Sequence, residues 1–337
     1  SRSERRSQSF RLNHYRIMDS HDQIDAINKR TGRNMPQAVA TAAVLIALIL
    51  VCLLIRIDCF VCLIVLFMML ALWELRIDFA TAGLHIPVVA LWMCSAAAML
   101  ATYYAPWHYA AMSLSVIATI IVAVPCSTAR LNFSNRVPLA VARKLSASDA
   151  AIRAKSSFGN GDHAPQASRI ANVGVTLLAI LYIPVLACYL VFPLTFGGHP
   201  AAHAIMSVFL PALSDTGGLF FGAAFGKHRL SPRISPKKSY EGLLGSILFS
   251  MAGAFAIFAC TYGTRVWASH WWVPIVLGVV VGVVGTYGDL CASLLKRDLG
   301  IKDMGHLLKG HGGVLDRVDS ILMCAPFIAG LLFATGL

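Results

Sequence analysis

GTYGDLCASLLKRDLGIKDMGHLLKGHGGVLDRVDS, residues Gly285 to Ser320, lies between two apolar runs and is dense in charge. It holds Asp289, Asp298, Asp303, Asp316 and Asp319, five of the sixteen acidic residues in the chain. Lys296, Arg297, Lys302, Lys309 and Arg317 accompany them. Ionised groups at membrane depth cost roughly 2.5–3.5 kcal/mol each, so a charged cluster pinned between hydrophobic spans marks a working site.

Asp289, Ser293 and Lys296 are spaced i, i+4 and i+7, one side of a helix, with Arg297 bordering it. Asp316 and Asp319 are three apart and share a face in the same way. Between them, His311-Gly312-Gly313 reads as a tight, open turn. Two carboxylate-bearing helix ends that face each other can hold a hard cation such as Mg2+ through oxygen ligands and waters. The rival arrangement is a salt-bridged helix pair in which Lys296, Arg297 and Arg317 neutralise the acids. His306 and His311 have no cysteine nearby, which argues against zinc. The chain shows no dinucleotide fingerprint, no P-loop and no Ser-His-Asp signal.

The rest of the chain is greasy. It is 57% hydrophobic and 13% charged, with a mean hydropathy of +0.69, where a soluble domain carries about 25% charge. The expected fold is all-α and polytopic, with about nine spans near 38–55, 59–73, 85–104, 108–125, 171–193, 201–224, 242–261, 273–294 and 320–336. This divides the chain into a polar basic tail (1–37), a front block of four spans (38–125), a long basic loop (126–170) and a back block of five spans (171–337). The first 36 residues lack an early apolar core, so no signal peptide is expected. With the N-terminus placed in the cytoplasm, the segments 1–37, 74–84, 126–170, 225–241 and 295–319 fall inside and hold 26 of the 28 Lys and Arg residues. The net charge of +12 is then topology and attraction to anionic lipid, and no nucleic-acid partner is expected. Cysteines such as Cys52, Cys94, Cys188, Cys260 and Cys324 sit in apolar runs as small hydrophobes, and the lone Cys59-x-x-Cys62 is read as structural.

A second cluster lies upstream. It comprises Ser214-Asp215-Thr216-Gly217-Gly218, then Gly222, Phe225-Gly226-Lys227 and Ser235-Pro236-Lys237-Lys238-Ser239-Tyr240-Glu241-Gly242. Asp215 stands inside an apolar span, where an acid needs a partner or a cavity. Lys227, Lys237 and Lys238 are point charges suited to phosphate. Ser239 or Tyr240 can start the next span. Gly278, Gly282, Gly285 and Gly288 make a small-residue face, suited to close helix packing and leaving room beside Asp289.

Both clusters carry a resemblance. Ser293-x-Leu295-Lys296-Arg297, Lys302-Asp303 and His311-Gly312-Gly313-Val314-x-Asp316-Arg317-Val318-Asp319 resemble the signature of the phosphatidate cytidylyltransferase (CDP-diacylglycerol synthase) family. The upstream cluster is similar to the family's Asp-Thr, Phe-Gly-Lys and Ser-Pro-Lys-Lys-Thr-Trp-Glu-Gly pattern, with Ser239 and Tyr240 for Thr and Trp, and Gly218-Leu219 for Ala-Tyr. Lys309 and Ala292 depart from the family habit of a small residue or Pro, and of Glu, at those places.

The resemblance implies a Mg2+-dependent enzyme that makes CDP-diacylglycerol and pyrophosphate from CTP and phosphatidic acid, in a bacterial cytoplasmic membrane. It implies K+ as a second cation and a homodimer. It matches Asp289 and Asp316 to a metal-bearing pair, with Asp319 beside them, and Lys296, Arg297, Asp303 and Arg317 to the catalytic group. Ser214, Asp215, Thr216, Lys227, Ser235, Lys237, Lys238, Ser293, His311, Gly312 and Gly313 are the candidates for holding CTP or phosphatidate. The alternatives are a CTP-dependent transferase or kinase acting on another membrane lipid, and a transporter whose intramembrane acids carry ions.

Overall fold

The structure, a computed structural model, describes residues 35–128, 168–231, 235–299, 301, 304 and 313–337, without the side chains of 35–42, 81, 236 and 237. In lipid, each backbone polar group has to pair inside its own segment, so the apolar runs become helices. They are α1 (Met35–Ile55), α2 (Ile57–Thr81), α3 (Val88–Tyr104), α4 (His108–Thr128), α5 (Arg169–Ile180), α6 (Leu186–Val191), α7 (Pro200–Phe225), α8 (Tyr240–Thr261), α9 (Thr264–His270), α10 (Val273–Asp298) and α11 (Leu315–Thr335). A π turn at Leu181–Val185 joins α5 to α6. Pro184 lies inside it and lacks the N–H that a regular helix would use.

The fold is an all-α polytopic membrane protein. Among the described residues, seven helical stretches are long and apolar enough to cross a membrane: Ile57–Ala80, His108–Thr128, Arg169–Thr195, Pro200–Phe225, Tyr240–Thr261, Val273–Asp298 and Leu315–Thr335. Two shorter apolar helices, Ala43–Ile55 and Val88–Tyr104, stand where the first and third spans are expected.

Three segments differ from the sequence reading. The expected second span ends at 73 and gives way to a loop, whereas α2 continues through Glu74, Arg76 and Asp78 to Thr81, with all three charged side chains buried. Residues 225–241 contain a hairpin, β1 (Arg229–Ser231) antiparallel to β2 (Ser235–Ser239), with Arg229 opposite Ser239. The last two spans extend into the charged stretch, so Lys296 and Arg297 occupy the last turn of α10 and Asp316 the first turn of α11. Those ends suit the charges, because a helix favours cations at its C-terminus and anions at its N-terminus. The tail before residue 35 and most of loop 126–170 lie outside the described residues.

The back block forms around a close crossing of α7 and α8. A Cβ on Gly217 would collide with the Gly245 carbonyl, and one on Gly245 would meet the Gly217 carbonyl at 2.5 Å. The glycine face of α10 packs in the same manner, with Gly278 against Met251 and Gly282 against Ile247. α11 is shared by two cores. Leu315, Val318, Leu322 and Ala325 join Phe60, Leu72, Leu75 and Phe79 of α2. Cys324, Ile328 and Leu332 join Met206, Phe258, Leu277 and Val281. α11, which begins the last span, is therefore held between α2 and the helices of the second core.

Candidate active site

One end of the bundle opens into a cavity of about 370 Å³. Five elements contribute: the C-terminal part of α7, the hairpin, the first turns of α8, the last turns of α10 and the first turns of α11. Asp215, Asp289, Asp316 and Asp319 line it, together with Lys238, Lys296 and Arg317. Ser235, Ser239, Ser246, Thr286 and Ser320 add hydroxyls. Residues from the two sequence clusters thus meet in one cavity.

The positions follow from local structure. Ser239 caps α8, its hydroxyl accepting from the Gly242 N–H at 3.1 Å, and this turns the chain from strand to helix beside the cavity. The preceding residue, Lys238, donates from Nζ to Asp289 Oδ2 at 2.7 Å and to the Thr286 carbonyl at 2.7 Å. Seven residues after Asp289, Lys296 donates to Asp316 Oδ1 at 2.8 Å across the gap between α10 and α11. The other Asp316 oxygen accepts from the Met304 N–H at 2.9 Å and the Gly313 N–H at 3.3 Å. Asp316 therefore organises the turn that leads into α11 and anchors a lysine.

The two ion pairs differ in strength. Lys238–Asp289 has side chains 20% and 39% exposed. Such a pair is worth about 1 kcal/mol or less, so a ligand can displace it cheaply. Lys296–Asp316 is 14% and 8% exposed, and removing one partner of a buried pair costs about 3–5 kcal/mol.

Asp319 is buried, and its Oδ1 accepts the Ser320 N–H at 2.7 Å. The Ser320 hydroxyl reaches Asp215 Oδ1 at 3.4 Å and Asp319 Oδ1 at 3.5 Å, so acids from α7 and α11 converge on it. Asp289 is within electrostatic reach of both. Among the described residues no three His, Cys, Asp or Glu side chains form a ready-made metal cage. The donor chemistry fits Mg2+ all the same, since that ion usually takes one or two carboxylates and completes its shell with waters and substrate phosphates. Asp215, Asp289 and Asp319 supply hard oxygens, and Asp316 can join them on release of Lys296.

Other expected site residues are placed elsewhere. Thr216 donates back to the Ala212 carbonyl at 2.8 Å and does not line the cavity. Ser214 is buried at the helix crossing, where its carbonyl accepts from Ser246 at 2.8 Å. Ser293 is half-buried and Arg297 exposed, both off the cavity wall. Lys227 is exposed, and its N–H donates to Glu241 Oε2 at 3.2 Å. Asp303, His311, Gly312 and the Lys237 side chain lie outside the described residues. Ser320, Ser246 and Thr286 were missed by the sequence reading, which took them as parts of apolar spans.

The family model described as "Cytidylyltransferase family" matches residues 36–335. The chain belongs to the cytidylyltransferase family. Among its relatives is a phosphatidate cytidylyltransferase of Mycobacterium bovis, 37% identical over 159 residues, which are 46% of this chain and 49% of the relative. A phosphatidate cytidylyltransferase of Haemophilus influenzae is 39% identical over 120 residues, 36% of this chain and 42% of the relative. One from Staphylococcus haemolyticus is 33% identical over 157 residues, 46% of this chain and 57% of the relative. The chain spans about half the length of the curated relatives it matches.

Proposed function

We propose that the chain transfers CMP from CTP to phosphatidic acid, forming CDP-diacylglycerol and pyrophosphate. The observation that carries this reading is the meeting of four carboxylates and three cations in one cavity of a cytidylyltransferase-family membrane protein. The relatives' name, phosphatidate cytidylyltransferase, supports the same substrates.

The chemistry asks for little covalent help. A phosphate oxygen of phosphatidate attacks the α-phosphorus of CTP, a new P–O–P linkage forms, and the bond from the α-phosphorus to the bridging oxygen breaks. Pyrophosphate leaves with that electron pair. The nucleophile is already ionised, so positioning and charge neutralisation dominate the barrier. Lys238, Lys296 and Arg317 neutralise phosphate charge that would otherwise keep the two polyanions apart. Lys238 leaves the half-exposed Asp289 pair at low cost and moves onto phosphate. Mg2+ held by Asp289 and Asp319, with Asp215 and Asp316 beside them, would stabilise charge on the triphosphate and the leaving group.

The lipid side of the cavity is also provided for. Leu219 and Leu243 line it, and Leu219, Phe220 and Leu244 are exposed beside it. Acyl chains can lie against this apolar lip in the bilayer while the phosphate reaches the cations. We place the cavity on the cytoplasmic side, where CTP is, in keeping with the distribution of Lys and Arg.

The test is product identity. Purified protein with CTP, phosphatidate and Mg2+ is expected to release pyrophosphate only when both substrates are present. Release of CDP, with the terminal phosphate moved to a lipid, would establish a kinase instead.

A further inference from the structure

We infer that Glu74, on α2 of the front block, is a positioning residue for the active site: it caps the first turn of α11 and so fixes where Asp316 stands. Glu74 is 1% exposed although it follows an apolar run. Its Oε2 accepts the Leu315 N–H at 2.9 Å, across 241 residues of sequence. The first amides of a helix have no partner within the helix, and α11 has no side-chain cap of its own at Val314. Glu74 supplies that partner from another block.

The contact lies one residue from Asp316, whose Oδ2 gathers the Met304 and Gly313 amides and whose Oδ1 holds Lys296. Met304, Val314 and Leu315 are buried in the same core as Leu72 and Leu75, which flank Glu74 on α2. One helical turn on, Asp78 is buried and within electrostatic reach of Asp316 and Lys296. Arg76 lies over the Trp73 ring at 5.3 Å. The charged end of α2 is thus a platform against which the α11 turn is seated, and the front block has a task in the reaction. A carboxylate is well suited to it, because a charged acceptor binds an amide more strongly than a neutral one and the N-terminal end of a helix favours negative charge.

The kinetic arm of the test rests on the proposed CMP transfer, while the exchange arm does not. Glu74→Ala removes the acceptor, Glu74→Gln keeps an acceptor oxygen at the same reach, and Glu74→Asp keeps the charge but withdraws it by one methylene. The Ala variant is expected to lose kcat by about 10²-fold with KM for CTP changed little, as misplacement of a catalytic group does. The Gln variant should stay within roughly threefold of the parent, since the hydrogen bond is retained. Amide hydrogen exchange at Leu315 should quicken in Ala and Asp and stay slow in Gln. If the Ala variant does not fold, the Gln and Asp variants decide the matter: Gln active and protected, Asp impaired and deprotected. An Ala variant with normal kcat and a protected Leu315 amide overturns the inference, as does an active Asp variant beside an inactive Gln variant. If the parent chain transfers no CMP, the functional proposal fails and Leu315 exchange alone decides the role of Glu74.

Discussion

Asp289→Asn and Asp316→Asn each lower CMP transfer by about 10³-fold or more, the scale expected when a group that stabilises transition-state charge is lost. The two variants should differ in stability. Asp289 pairs with Lys238 at a half-exposed site, so its replacement costs about 1 kcal/mol or less. Asp316 pairs with Lys296 in a buried one and also gathers two backbone amides, so its replacement leaves a buried lysine short of its partner, at about 3–5 kcal/mol. The expected pattern is an Asp289→Asn protein that is inactive with near-parental thermal unfolding, and an Asp316→Asn protein that is inactive and unfolds earlier. Specific activity and thermal unfolding in detergent check it. Turnover retained by Asp289→Asn would remove that residue from the reaction centre.

Gly313→Ala should also be damaging, by about 10²-fold, for a steric reason. A Cβ at Gly313 would run into the Met304 carbonyl and stand 2.8 Å from Glu74 Oε2. The carbonyl is backbone and cannot rotate away, so the turn must shift. That displaces Asp316, which the Gly313 N–H holds at 3.3 Å. A shift of about 1 Å in a catalytic group costs about 10²-fold in rate. Most of the helical packing lies elsewhere, so the variant should purify as the parent does while kcat falls. Steady-state kinetics with both substrates varied is the measurement. A variant with parental kcat would show that the turn has room the structure does not display.

The sequence reading put several of the cavity's acids and bases on shared helix faces because their spacing is set by helices. Asp289 and Lys296 are seven apart and do share a wall of the cavity, and so do Asp316 and Asp319. The same spacing placed Ser293 with them, yet it points away: a stripe on a helix is wider than the face a neighbour covers. Spans were visible as apolar runs, and most boundaries fall within a few residues. Glu74, Arg76 and Asp78 were lost for a physical reason. Charges after an apolar run look like the start of a loop, and only the docking of α11 makes it favourable to bury them in a helix. Ser320 was read as the first residue of an apolar span, and nothing local reveals that its hydroxyl stands between Asp215 and Asp319. The roles of Lys227 and Thr216 depended on which way their helix end and turn face, which is a tertiary matter.

The most direct measurement follows the α-phosphorus of CTP. Purified protein in detergent is given phosphatidate, Mg2+ and CTP labelled at that atom, and the lipid is separated from the nucleotide. The account predicts label in a lipid that co-migrates with CDP-diacylglycerol, an equal amount of pyrophosphate, and loss of both on adding EDTA. CTP left intact with phosphatidate, or label that enters a different lipid phosphate while phosphatidate stays unlabelled, would contradict it.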